Sequence, residues 1–380
     1  MSSVAAESDA SPEKTAPRTM SPFLRATYFL GPPSLVLCSL LISPRLALTI
    51  PPILAPTALA YYYYHRMQPA SKRVPEENFT RTYVTALLTG VPVAGLAQVV
   101  LGYSFLYLFH GKDTLKFLAE AAGEEAKNTP IPVLASRAAS AWGWKEVLQR
   151  AWTMIVCAGL VEEVLHGRGV MHAVNRESAE ASTSTKQSSG EPARRKRRLT
   201  LETHLQLGVA VGLGFGTMES IVAAYGLVTA GHSWKRLMLE LGVRIVHGNL
   251  AHTLMTVLSA LRMARGSTVE SPARTLDTGK AESPEPGESG KETNQHERAP
   301  SMSIIQAIMP SVLYHGLVDF ALLSISAMNG HLGWVYPKDT PSLVAVYGIG
   351  GSALALLALH VRWEWCKLKE EEKGSLRKTA

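Results

Sequence analysis

Two adjacent glutamates, Glu162 and Glu163, close the apolar run WTMIVCAGLV, and His166 follows one helical turn later, where it can face either carboxylate. Three further apolar segments carry polar groups of their own. GVAVGLGFGTMES contains Glu219, RIVHGNLAHTLMT holds His247 and His252, and YHGLVDF sets His315 one turn from Asp319. A carboxylate so placed can orient an imidazole. Such residues serve as general bases, oxyanion partners or metal ligands. An ionised carboxylate at membrane depth costs about 2.5 kcal/mol or more, so something has to compensate it. Each group has a structural reading: Glu162 and Glu163 paired with Arg168, His315 satisfied by Asp319, Glu219 bonded to a neighbouring backbone. One shared site accounts for all of them more economically. His247 and His252 fall about 140° apart on a regular helix, so both cannot point the same way, and spacing does not choose between them.

These residues need apolar helices to hold them. Charged residues make up 18% of the 380-residue chain, below the roughly 25% of soluble domains. A span takes about 20 apolar residues, and eight candidates centre on 26–43, 46–64, 83–109, 151–171, 205–230, 240–261, 302–325 and 342–361. The fold class is therefore all-α, a polytopic transmembrane helical bundle. Pro32 and Pro33 break the first candidate, leaving it open between a span and a re-entrant segment. Gly208, Gly212, Gly216 and Glu219 fall roughly along one face of the fifth, so a neighbouring helix can approach where the carboxylate emerges.

The organisation expected is a disordered cytosolic tail at 1–21, spans in 22–171 with a non-cytosolic loop of interfacial helices at 110–150, and a disordered basic loop at 172–203. Two spans at 204–264, a disordered loop at 265–300, two spans at 301–362 and a cytosolic tail at 363–380 complete it. Arg66, Lys72, Arg73 and Arg81 in one loop and the basic 172–203 loop outweigh Arg45, the Lys235–Arg236 pair and Lys338 in the others, which places both termini in the cytosol. The sequon at Asn78 then falls in a cytosolic loop, where it is not glycosylated. No cleavable signal is expected, and the first span acts as the anchor. The net charge of +7 collects beside apolar segments and reads as topology, and RRKRR at 194–198 as a juxtamembrane anchor, so nucleic acid is not a partner. Cys38, Cys157 and Cys366 show neither metal spacing nor a disulfide pattern.

Glu162-Glu163 with His166, then Phe215-x-x-x-Glu219, then His252 on its own span, then His315-x-x-x-Asp319 resemble the four motifs of the PrsW family of intramembrane proteases. That family shares a clan with the CAAX prenyl proteases and the bacteriocin-processing membrane proteases. The resemblance runs from about Pro51 to His360, takes in YYYYHR, and is interrupted by two polar insertions of a kind that suggests a eukaryotic, fungal-like member. His166 departs from the family's first motif, EExxK, which has lysine there. His252, not His247, matches the family's histidine.

The resemblance implies hydrolysis of peptide bonds in or next to the bilayer, with a membrane protein or membrane-proximal peptide as substrate. Glu163 or Glu162 would take a proton from the attacking water. His252 and His315 would stabilise the oxyanion or bind a metal, Asp319 would orient His315, and Glu219 would complete the site. Zinc would suit His252, His315 and Glu219 as ligands; a metal-free glutamate mechanism uses the same residues, and the sequence does not separate the two. An ion- or proton-coupled transporter remains an alternative, because intramembrane Glu, His and Asp also form ion paths. So does an inactive scaffold, for which His166 is the best argument. The membrane expected is the endoplasmic reticulum or another endomembrane.

Overall fold

GVAVGLGFGT is apolar on every side, and a helix of that kind belongs in an interior. The computed structural model describes residues 20–69, 72–111, 148, 151–189, 199–269, 302–328 and 340–379, and puts this helix, α5 (Leu201–Thr229), at the centre. Its apolar window is 78% buried, against 33% or less in the other four helices that are long and apolar enough to cross a membrane. Thr200 caps it, accepting the Thr203 N–H at 3.2 Å.

Around α5 stand α1 (Pro22–Ile42), α2 (Pro44–Tyr62, closed by a π turn at Tyr63–Met67), α3 (Glu76–Thr85, a π turn at Ala86–Gly90, then Val91–His110) and α4 (Trp152–Leu160, π-wound, then Val161–Ser189). The rest are α6 (Trp234–Val243, a π turn at Arg244–Gly248, then Asn249–Val269), α7 (Ile304–Met328) and α8 (Thr340–Thr379). No strand occurs among the described residues. Among the described residues, the five helices apolar enough to span are α1, α3, α5, α7 and α8. The other three spans that hydropathy suggests are the helices richest in proline (α2) or in the site's own polar residues (α4, α6).

Three boundaries differ from those expected. Pro32 and Pro33 do not break α1, which runs through both, as membrane helices tolerate when neighbours satisfy the freed backbone. Residues 172–189, expected as the start of a disordered loop, continue α4. Val170 and Ala173 are buried there, and Arg176 reaches Thr82 Oγ1 at 3.0 Å. Asn78 Nδ2 donates to Glu177 and, at 3.0 Å, to Glu180, so the sequon's amide is engaged in the fold. Residues 363–379, expected as a cytosolic tail, continue the α8 helix. Their inner face docks through buried Leu368 and through Glu364, which lies 3.1 Å from Arg262 and 3.2 Å from Arg265 of α6. The interfacial helices expected over 110–150 fall almost wholly outside the described residues, as do residues 1–19, 190–198 and 270–301.

α5 and α6 meet backbone to backbone. A Cβ on Gly212 would sit 2.6 Å from Thr253 Cα and 2.7 Å from His252 O, and one on Gly216 would overlap Asn249. Gly95 of α3, in contrast, has nothing within 4 Å of its would-be Cβ. Gly212→Leu should therefore destabilise the protein by about 1–3 kcal/mol, read as a lower unfolding midpoint in detergent, while Gly95→Leu leaves the midpoint in place. Equal midpoints for the two variants would contradict the packing described.

Candidate active site

Two close helix crossings bring the polar groups of four helices together. Gly159 of α4 lies against Gly316 of α7: a Cβ on Gly316 would be 2.7 Å from Ile155 Cα, and one on Gly159 3.1 Å from Gly316 N. Small residues permit such approaches, and they pull along the residues beside them. His315 is thereby set against the glutamate pair that follows Gly159. Its Nδ1 lies 3.1 Å from Glu163 Oε1, and its Nε2 lies 3.4 Å from Glu162 Oε2 and 3.3 Å from Asp319 Oδ2. The α5–α6 crossing does the same for the other half, placing His252 Nε2 2.7 Å from Glu219 Oε2.

The halves join through the imidazoles. The rings of His252 and His315 are 5.3 Å apart, as are those of His166 and His252. His166 is fully buried, with Nδ1 3.2 Å from Glu163 Oε1 and its ring edge-on to Phe215 at 4.4 Å. All six residues expected to carry chemistry, Glu162, Glu163, Glu219, His252, His315 and Asp319, thus stand in one cluster, with His166 inside it. Glu162 and Glu163 do not pair with Arg168, which is exposed on the α4 surface.

Gln98 of α3 and Arg244 of α6 were not singled out by motif. Gln98 donates to Glu162 Oε1 at 2.6 Å, and Arg244 comes within 3.9 Å of Glu219 Oε2. A lone glutamine in VPVAGLAQVVLGYSF was the signal available for the first, because an isolated amide in an apolar span needs a partner. His247 borders the same cavity as His252, but its ring lies against Gly350 and Tyr347 of α8, away from the carboxylates.

That cavity has a volume of about 160 Å³ and lies among α6, α7 and α8. Glu219, His252, His315 and Asp319 form its polar wall, and Met255, Val318, Leu322 and Leu354 contribute apolar surface. Asp319 and Arg244 keep 34% and 33% of their side chains exposed while His315 and His252 keep 6% and 5%, so the cavity grades from an open mouth to a closed floor.

Four carboxylates face one permanently charged partner, Arg244, among the described residues of the cluster. The excess negative charge calls for protonated imidazoles or a bound cation. Glu162, His252 and His315 each bring a donor atom within 4.8 Å of the other two. Glu162 Oε2 and His252 Nδ1 are buried and accept or donate no hydrogen bond, so the donor set fits a metal ion. Glu219, expected with the two histidines, lies outside this trio. Glu219 stands behind it, holding the other nitrogen of His252 as an outer carboxylate does in histidine metal sites.

The fold and site define a polytopic helical membrane protein with a buried Glu–His centre assembled from four helices. Residues 81–278 match the family model described as PrsW family intramembrane metalloprotease; this is more than half of the chain, which belongs to that family. It is a membrane protease. Neither the carrier nor the scaffold reading gains an observation. Comparison with curated proteins and with solved structures finds no match. His315 and Asp319 lie beyond the matched segment; His315 is tied to it by its contacts with Glu162 and Glu163, and Asp319 through His315.

Replacing Gln98 by Leu keeps the helix apolar but leaves Glu162 Oε1 without its donor. Loss of an outer-sphere partner of this kind costs about 10–100-fold in activity or metal affinity, so Gln98→Leu should lower cleavage in that range at unchanged protein level. Cleavage at the wild-type rate would show that Glu162 does not depend on it.

Proposed function

We propose that Glu162, Glu163, Glu219, His252, His315 and Asp319 are one peptidase centre, in which Glu163 acts as general base on the attacking water. The observation that carries this is the grip of His315 on three carboxylates from two helices, Glu162, Glu163 and Asp319. Glu163 Oε1 is fixed by His166 and His315, while Oε2 has no protein partner and is free to accept a proton. Water adds to the scissile carbonyl as Glu163 takes its proton. The C–N bond then breaks and the proton passes to the leaving amine. Asp319, at the mouth, orients His315. The cavity of about 160 Å³ receives the substrate next to the polar wall, and its apolar lining suits an apolar side chain beside the scissile bond.

Glu162, His252 and His315 would hold a metal ion, and a bound ion would supply Lewis acidity toward the scissile carbonyl. Without one, His252 Nδ1 is the ring nitrogen left to donate to the oxyanion. Purified active protein that carries a stoichiometric metal, loses cleavage on chelation and regains it on readdition would establish the first form. Activity without metal would establish the second. The loop charges support cytosolic termini, and the polar insertions are the support for an endomembrane.

New protein N-termini compared across membranes holding wild type, no protein, or the Glu163→Gln, Glu219→Gln double variant at matched expression test the centre itself. Termini present only with wild type are expected. Three identical samples across several growth conditions would overturn the assignment.

A further inference from the structure

A second cavity, of about 240 Å³, reaches the cluster from a different side, between α3, α4 and α5. It is bordered by a polar seam. Thr82, Thr85 and Thr89 follow one another down α3 at helical spacing, and Arg168, His172 and Arg176 do so along α4. At one end, where α3 begins, Arg176 donates to Thr82 Oγ1 and to Asn78 O. At the inner end the cavity stops on Gly90, Phe215 and His166.

His166 is fully buried, and its Nδ1 is taken by Glu163 while Nε2 has no protein partner. An unsatisfied buried ring nitrogen costs about 1–3 kcal/mol, which a water would remove. The space suffices, since a water's share of liquid volume is about 30 Å³ and the threonine hydroxyls supply further partners. The peptide cavity lies on the other side of this partition, bounded by His252 rather than His166. Hydrolysis consumes one water per bond cut: its oxygen ends on the new carboxyl group and a proton on the new amine. A substrate seated in the peptide cavity blocks that mouth to water, so a second approach is useful.

We propose that the α3–α4–α5 seam is the water inlet of the site, with Phe215 and His166 as the partition and His166 Nε2 the last protein group a water meets before Glu163. The proposal rests on the catalytic centre described above.

The test uses the full chain with Cys38→Ser, Cys157→Ala and Cys366→Ser, and one new cysteine on α3, either Thr89→Cys on the seam or Leu88→Cys on the helix's exposed apolar face. Membranes are treated with 2-sulfonatoethyl methanethiosulfonate, a small anionic reagent. Only a thiolate reacts, and thiolates form where water reaches, so Thr89→Cys should label about tenfold faster or more. Its labelling should slow formation of the wild-type-dependent termini, which unlabelled Thr89→Cys still produces. Equal slow labelling of the two positions would overturn the inlet, as would labelling of Thr89→Cys with no loss of cleavage. Failure of the catalytic centre shows separately, as absent cleavage by the unlabelled parent chain.

Discussion

Burying Glu163 completely, with Glu162 beside it, is the constraint from which the rest of the structure follows. An uncompensated carboxylate in a low-dielectric interior costs several kcal/mol, and two side by side need partners from more than one helix. His315 does most of it by turning one ring nitrogen to Glu163 and the other to Glu162 and Asp319. His166 and Gln98 supply the remaining contacts. That solution works only if α7 comes within touching distance of α4, and Gly159 and Gly316 are what allow it. Glu219 poses the same problem on α5 and receives the same answer, a histidine delivered across a glycine crossing.

The surrounding elements hold those crossings in place. α5 is largely enclosed, with its glycine face turned to α6 and not to lipid. Gln206 of α5 clamps the 72–74 segment by accepting Val74 N–H at 2.9 Å and donating to Lys72 O at 2.6 Å. The Arg262–Glu364–Arg265 group fastens α8 to α6 at one end of the bundle, and Lys369 ties α8 to Glu202 of α5 at 2.6 Å. The π turns do the fine positioning. One precedes the glutamate pair, one precedes Asn249 and His252, and one brings Gly90 against Phe215. Each inserts the register shift that such turns commonly provide at functional sites.

Much of this was legible in the sequence because membrane burial makes polar residues conspicuous. Glu162, Glu163, Glu219, His252, His315 and Asp319 stand out against apolar runs, and the glycine spacing of α5 announces a close partner. The helix continuations past residues 171 and 362 were hidden because their polarity is that of a loop; Ala173, Glu364 and Leu368 find their partners only in three dimensions. The face that α6 turns to the cavity was hidden too. A wheel separates His247 from His252, and both still border one cavity because α6 presents a broad face to it. The choice of Glu162 over Glu219 beside the two histidines depends on how three helices meet, which spacing within any one of them does not encode.

Whether the cluster is one chemical unit is tested most directly by the cleavage rates of reconstituted Glu163→Gln, His315→Ala and the double variant on one substrate. Residues that act as a unit are grossly non-additive. The account predicts a double variant no slower than the slower single one, because His315 acts on the reaction through Glu163 and its partners. Losses that multiply in the double variant would mean that the two residues contribute independently, and would contradict a single centre built on their contact.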